Sequence, residues 1–148
     1  MERSLVLLKP DAAARGLVGE TISRLERKGL KLVGLKMIKP DREKLERLYV
    51  MHRGKPFYEG LLEFMAKGPL VAVVVEGPRA VSVVRAMLGA TDSAQAQPGT
   101  IRGDLAMSVR QNVAHAADSS ERAEEEIRLL FKDDEIVDWD HPLSDYIY

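Results

Sequence analysis

The sequence predicts an α/β fold with a mostly antiparallel sheet, on three observations. Leu70-Val71-Ala72-Val73-Val74-Val75 is a continuous, β-branched apolar run of the kind a central buried strand requires. Leu5-Val6-Leu7-Leu8 forms a second such run near the N-terminus. Segments with apolar residues at helical spacing alternate with these runs, so strands and helices interleave. The 148 residues, 45% apolar and 30% charged, suit one globular domain over positions 1–148 with a real core.

The elements follow in order. Residues 3–8 read as a buried strand, stopped by Lys9-Pro10-Asp11. Val18, Ile22 and Leu25 share one helical face over residues 18–28, and Gly29 sits where a C-cap belongs. Residues 30–38 alternate as a strand with one imperfectly apolar face. Pro40-Asp41 opens a charged helix through Tyr49, with Leu45 and Leu48 on one side. A short helix follows over 58–66, ended by Gly68-Pro69. After the 70–75 strand, Pro78 starts a helix over 79–88 with Val81, Val84 and Leu88 as its stripe. Residues 89–111 lack sustained periodicity, and an irregular stretch of that length inside a domain points to function. A short strand is expected near 112–115, then a helix capped at Asp118-Ser119-Ser120-Glu121 and running to Phe131.

Composition removes several classes. The chain has no cysteine, which excludes disulfides and Cys-based metal sites and fits a reducing, cytoplasmic setting. The apolar run at Leu5–Leu8 is too short for a signal peptide or a membrane span. The net charge is −1, yet residues 1–60 carry +6 and residues 111–148 carry −8. The basic charges of the front are interleaved with acids and form no aromatic-rich stripe, so no specific nucleic-acid partner is expected.

Neither a Gly-x-x-x-x-Gly-Lys-Ser/Thr loop nor a His-Glu-x-x-His site occurs. Three histidines remain. His52, beside Arg53 and Lys55, reads as solvated in a basic turn, and His141 reads as surface. His115 lies between the irregular segment and a helix N-terminus, whose exposed N–H groups favour an anion. Thr91, Thr100, Arg102 and Arg85 precede it and could form a phosphate cradle. Asn112 and His115 stand three positions apart, so a straight strand would point them to opposite faces. Joint action requires a bend between them.

The ordered motifs together resemble the nucleoside diphosphate kinase family. They are Lys9-Pro10-Asp11, Arg15-Gly16-Leu17-Val18-Gly19, Pro56-Phe57 and Gly68-Pro69. Arg85-Ala-Met-Leu-Gly89-Ala-Thr91, Pro98-Gly-Thr-Ile-Arg-Gly-Asp104 and Asn112-x-x-His115-Ala-x-Asp118-Ser119 continue the match along nearly the whole chain. The resemblance implies a ferredoxin-like sandwich, a four-stranded antiparallel sheet covered by helices. It also implies ping-pong transfer of the terminal phosphate of a nucleoside triphosphate, typically ATP, to a nucleoside diphosphate.

By the same resemblance His115 matches the nucleophile that becomes phosphohistidine, and Glu126 the carboxylate that orients it. Lys9, Arg85 and Arg102 match phosphate contacts, Thr91 a hydroxyl donor, and Tyr49 a phenol beside the transferred group. Lys9 and Asn112 match sugar-hydroxyl contacts, while Phe57 and Val109 match the two sides of the base slot. Mg²⁺ would ride on the phosphates and water, with no metal-ligating protein set. A homo-oligomer is implied, a hexamer built from dimers or a tetramer, with Tyr146, Ile147 and Tyr148 docked at a subunit interface.

The chain departs from the pattern at Ala117, where the family usually carries a serine bonded to the orienting carboxylate. The expectation is a Glu126 less constrained and a reduced rate. Arg110 departs too, adding a charge near the base slot. The alternative reading is a catalytically weakened nucleotide-binding or regulatory paralogue of the same fold, for which Ala117 is the only motif-level support.

Overall fold

In the computed structural model, which describes residues 1–148, two buried strands run side by side through the centre. They are β1 (Glu2–Leu8) and β3 (Leu70–Gly77), paired antiparallel with Leu5 opposite Val74. The outer strands β2 (Lys31–Ile38) and β4 (Ala114–Ala116) complete the order β2-β3-β1-β4, and every pairing is antiparallel. The crossovers are α2 (Val18–Lys28), between β1 and β2, and α5 (Ala80–Leu88), between β3 and β4. This is the ferredoxin-like arrangement.

Period-two alternation sorts the strand residues between two cores. Val6, Leu8, Val71, Val73 and Val75 face Leu25 of α2 and Val84 and Leu88 of α5. Leu5, Leu7, Ala72 and Val74 face the opposite layer. That layer is α3 (Arg42–Leu48), α4 (Tyr58–Ala66) and the end of α7 (Ser120–Leu130), through Leu48, Leu62 and Leu130. With helices on both faces, the covered stretches Leu5–Leu8 of β1 and Leu70–Val75 of β3 are apolar at every position, which is why these runs are unbroken. Each fully buried Val or Leu contributes about 1.5–3 kcal/mol.

β2 is an edge strand. Its register shifts between Leu32 and Gly34, so Val33 is the extra, bulged residue, and its outer half leaves Leu35 and Met37 exposed. The C-terminal segment covers the bulged end: Val137 N donates to Val33 O and Trp139 Nε1 to Leu32 O, each at 2.8 Å. The last residue latches onto the cap of α2, Tyr148 Oη donating to Gly29 O at 2.7 Å. Gly29 has φ 110°, and a Cβ there would meet Ile147 Cγ2 at 2.5 Å, so glycine serves both the turn and the packing. Tyr146, expected at a subunit interface, is exposed on the single chain.

Two helices differ from the sequence reading. Lys9-Pro10-Asp11 does not simply stop the chain: Pro10 opens α1 (Pro10–Ala14) at N1, where a missing N–H costs nothing. Within the irregular 89–111 stretch, Thr100 caps α6 (Ile101–Leu105) by accepting from Gly103 N at 3.0 Å. The short strand lies at 114–116, and Ser119 caps α7 by accepting from Arg122 N at 3.1 Å.

Candidate active site

The C-terminal end of β1, the end of α5, α6 and β4 meet around a cleft of about 860 Å³. Ten candidate residues line it: Lys9, Tyr49, Phe57, Arg85, Thr91, Arg102, Val109, Asn112, His115 and Glu126; Thr100, expected in the phosphate cradle, does not, because its hydroxyl is spent capping α6.

Its floor depends on a bend. Val113 has φ 75°, and Ala114 N donates back to Asn112 O at 2.9 Å, which makes a γ-turn centred on Val113. A β-branched residue rarely adopts this region, and about 1–3 kcal/mol of strain is typical. Surrounding bonds hold it: Asp11 Oδ2 accepts from Val113 N at 3.0 Å and Val113 O accepts from Lys9 N at 2.9 Å. The turn lets Asn112 and His115 line the same cleft.

Asn112 is buried, with one partner on each polar atom of its amide. Its Oδ1 accepts from Lys9 Nζ at 2.7 Å, and its Nδ2 donates to Thr91 O at 3.1 Å. Lys9 is itself buried, and desolvation first, then the Arg102 charge, lowers its pKa from 10.5 to about 8. Arg102 forms a hub, with Nε donating to Asn112 O at 3.2 Å, Nη1 to Gly89 O at 3.0 Å and Nη2 to Ala114 O at 2.6 Å. Burial, followed by the Arg85 charge, lowers its pKa to about 10. Arg85 stands exposed at the end of α5.

His115 pairs with Leu7 in the sheet, and its Nε2 lies 2.6 Å from Oε1 of Glu126. Glu126 is 1% exposed. An ionised carboxylate can only accept, so Nε2 carries the proton and Nδ1 keeps its lone pair. The ring meets Tyr49 edge-on, centroids 5.4 Å apart. The Tyr49 hydroxyl is buried without a partner, and burial followed by the Glu126 charge pushes its pKa up. Position 117 contributes only a buried methyl, but Glu126 is not left loose as the sequence suggested. Arg122 Nε lies 3.0 Å from Oε2.

At the outer end Phe57 and Val109 are 46% and 57% exposed, apolar surfaces left uncovered at the cleft's rim. His52, read from sequence as solvated, lines the cleft instead, 5.1 Å from the Phe57 ring. Desolvation, then Lys55, lowers its pKa. Arg110 also lines the cleft, its guanidinium against Gly60 of α4. Sequence reasoning missed His52 and Arg122. The first is marked only by proximity to Phe57, the second only by its i,i+4 spacing to Glu126.

Such a site presents an imidazole, a buried carboxylate behind it, three cations around it and apolar side chains at the rim. That set suits attack on a phosphorus atom of a polyanion bearing a flat ring. Comparison with known proteins agrees. The sequence profile described as nucleoside diphosphate kinase matches residues 2–136. A nucleoside diphosphate kinase of Staphylothermus marinus is 60% identical over 138 residues, covering 93% of this chain and 98% of that protein. That of Thermomicrobium roseum is 56% identical over 147 residues, covering 99% of each. The solved structure of a halophilic nucleoside diphosphate kinase from Halobacterium salinarum in complex with CDP superposes with a TM-score of 0.97. The identity there is 46%, covering 99% of this chain and 98% of that one.

Proposed function

The chain belongs to the nucleoside diphosphate kinase family, and from that premise we propose that His115 Nδ1 is its phosphate-carrying atom. The protein is a phosphotransferase between nucleoside tri- and diphosphates. The observation that carries the assignment is the 2.6 Å contact from Nε2 to Glu126, which fixes the proton on the far nitrogen.

The Nδ1 lone pair attacks the terminal phosphorus of a bound triphosphate. An N–P bond forms as the bond from phosphorus to the bridging oxygen breaks, and the diphosphate leaves with that electron pair. The imidazole keeps its Nε2 proton on Glu126, which stabilises the charge the ring acquires. An acceptor diphosphate then reverses the path, so one site serves both half-reactions. An imidazole that presents its Nδ1 lone pair attacks without a separate base.

Lys9, Arg85 and Arg102 gather the phosphates, and a loose transition state gains most from such fixed charge. The orphaned Tyr49 hydroxyl beside the His115 ring is suited to donate to the transferred group. Thr91 adds a donor at the rim, Lys9 and Asn112 reach the sugar, and Phe57 and Val109 hold the base by its faces. Stacking tolerates any base. Of the carboxylates lining the cleft, Glu126 is occupied by His115 and Arg122, leaving Asp118. That donor set fits a Mg²⁺ held mainly by the nucleotide phosphates and water, with Asp118 the one free carboxylate nearby; when bound, the ion would supply neutralisation of phosphate charge.

Residues 1–148 act as one kinase domain, cytoplasmic and homo-oligomeric, a hexamer or a tetramer. Exposed Leu35, Met37 and Tyr146 support association, and no helix is long and apolar enough to cross a membrane. Against the weakened-paralogue reading stands the contact of Glu126 with both His115 and Arg122, present despite Ala117. The test is incubation with terminally labelled ATP and Mg²⁺. The expected product is an acid-labile, alkali-stable phosphoprotein that discharges to a diphosphate acceptor. No label on the wild type, or undiminished label on His115→Ala, refutes the assignment.

A further inference from the structure

Arg122 and Glu126 are spaced i,i+4 on a charge-rich helix, a pattern that on a surface contributes a few tenths of a kcal/mol, about 0.3–0.5. Here the guanidinium turns inward. Its Nε and Glu126 Oε2 are buried against each other at 3.0 Å, off the line of a straight hydrogen bond. Its Nη2 donates to Leu48 O at 2.5 Å and Arg47 O at 3.2 Å, the unsatisfied carbonyls at the end of α3. Its Nη1 donates to Glu125 Oε2 at 2.9 Å. The residue after Leu48 is Tyr49, whose ring meets His115.

One guanidinium therefore ties the carboxylate behind His115 to the chain segment that presents Tyr49. Oε1 meets the histidine and Oε2 the cation, so each carboxylate oxygen faces a partner of opposite polarity. We propose that Arg122 is a positioning residue: acting through Glu126 and the end of α3, it fixes the His115 ring so that Nδ1 faces the bound nucleotide. The inference rests on the assignment of His115 as nucleophile. Arg122 lines the cleft, but both its Nη atoms already donate to protein oxygens, so the role proposed for it is positioning and not phosphate binding. A planar fork can make these contacts together, whereas a lysine ammonium cannot.

The experiment compares the wild type with Arg122→Gln and Arg122→Lys in the full chain. Steady-state kinetics, thermal melts and ¹⁵N NMR of histidine-labelled protein are the readouts. For Arg122→Gln the expected result is a kcat lower by about 10- to 100-fold at unchanged KM, the scale of a misplaced reacting group. The His115 nitrogens should shift from a single Nε2–H tautomer to a mixture. Arg122→Lys should keep the tautomer and lose kcat several-fold. A folded Arg122→Gln with wild-type kcat, or one that raises KM alone, overturns the proposal. If Arg122→Gln does not fold, Arg122→Lys decides, and full activity in that variant overturns it. A wild type that forms no phosphohistidine refutes the His115 assignment instead, a separate and earlier outcome.

Discussion

Replacing Arg102 with lysine separates charge from geometry in the cleft. Arg102 is 8% exposed and donates to three carbonyls on separate pieces of chain, Gly89 after α5, Asn112 in the turn and Ala114 in β4. Lysine keeps the positive charge but reaches one of the three. A hydrogen bond from a charged group contributes about 1.5–3 kcal/mol, so losing two costs about 3 kcal/mol at the lower figure. Urea unfolding of Arg102→Lys should show a fall in stability of that size with an unchanged m-value. The same variant should lose kcat/KM, because the carbonyls it releases belong to the turn that aims Asn112 and to the strand that carries His115. A loss below about 1 kcal/mol would refute the hub reading and leave Arg102 as a charge alone.

Other outcomes follow from the same geometry. Lys9 titrates near 8, so at pH 8 about half of it is neutral, and an arriving polyanion should restore its charge. Calorimetry at pH 8 in buffers of different ionisation enthalpy should show uptake of up to about half a proton per nucleotide bound, absent in Lys9→Met. Without nucleotide, the unfolded chain binds more protons at Lys9 between pH 8 and 10.5. The wild type should therefore gain stability relative to Lys9→Met across that window, with the full burial cost present below it. A flat difference would show that Lys9 is not desolvated. Phe57→Ala should raise KM by roughly tenfold for purine and pyrimidine nucleotides alike, since stacking contributes about 1–3 kcal/mol per base. Selective loss for one base would argue for edge recognition instead.

Much of this was legible in the sequence, and the gaps have physical causes. β1 and β3 declare themselves because strands covered on both faces cannot alternate. α1 and α6 are five residues each, too short for a 3.6-residue period to register. The bend between Asn112 and His115 could be demanded from spacing but not located. Valine at φ 75° is the residue local preference argues against, and tertiary bonds from Asp11 and Lys9 override it. The cleft's members could be named by motif. Their division of labour could not, because whether Arg102 meets a phosphate or three carbonyls depends on contacts across the fold. Arg122 was hidden for the opposite reason: its spacing to Glu126 matches that of an ordinary solvated pair.

The two most buried cations of the cleft are held by neutral oxygens. Lys9 leans on an amide oxygen and Arg102 on peptide carbonyls, with no carboxylate bonded to either. Dipoles orient a cation without cancelling its charge, so the field of both groups leaves the cleft largely intact. A nucleotide approaching from solution is drawn toward that field before any contact forms. Its association rate should therefore fall as added salt shortens the screening length, which is about 10 Å at 0.1 M. The carbonyls that give Arg102 its place in the fold thus also keep its charge available at a distance.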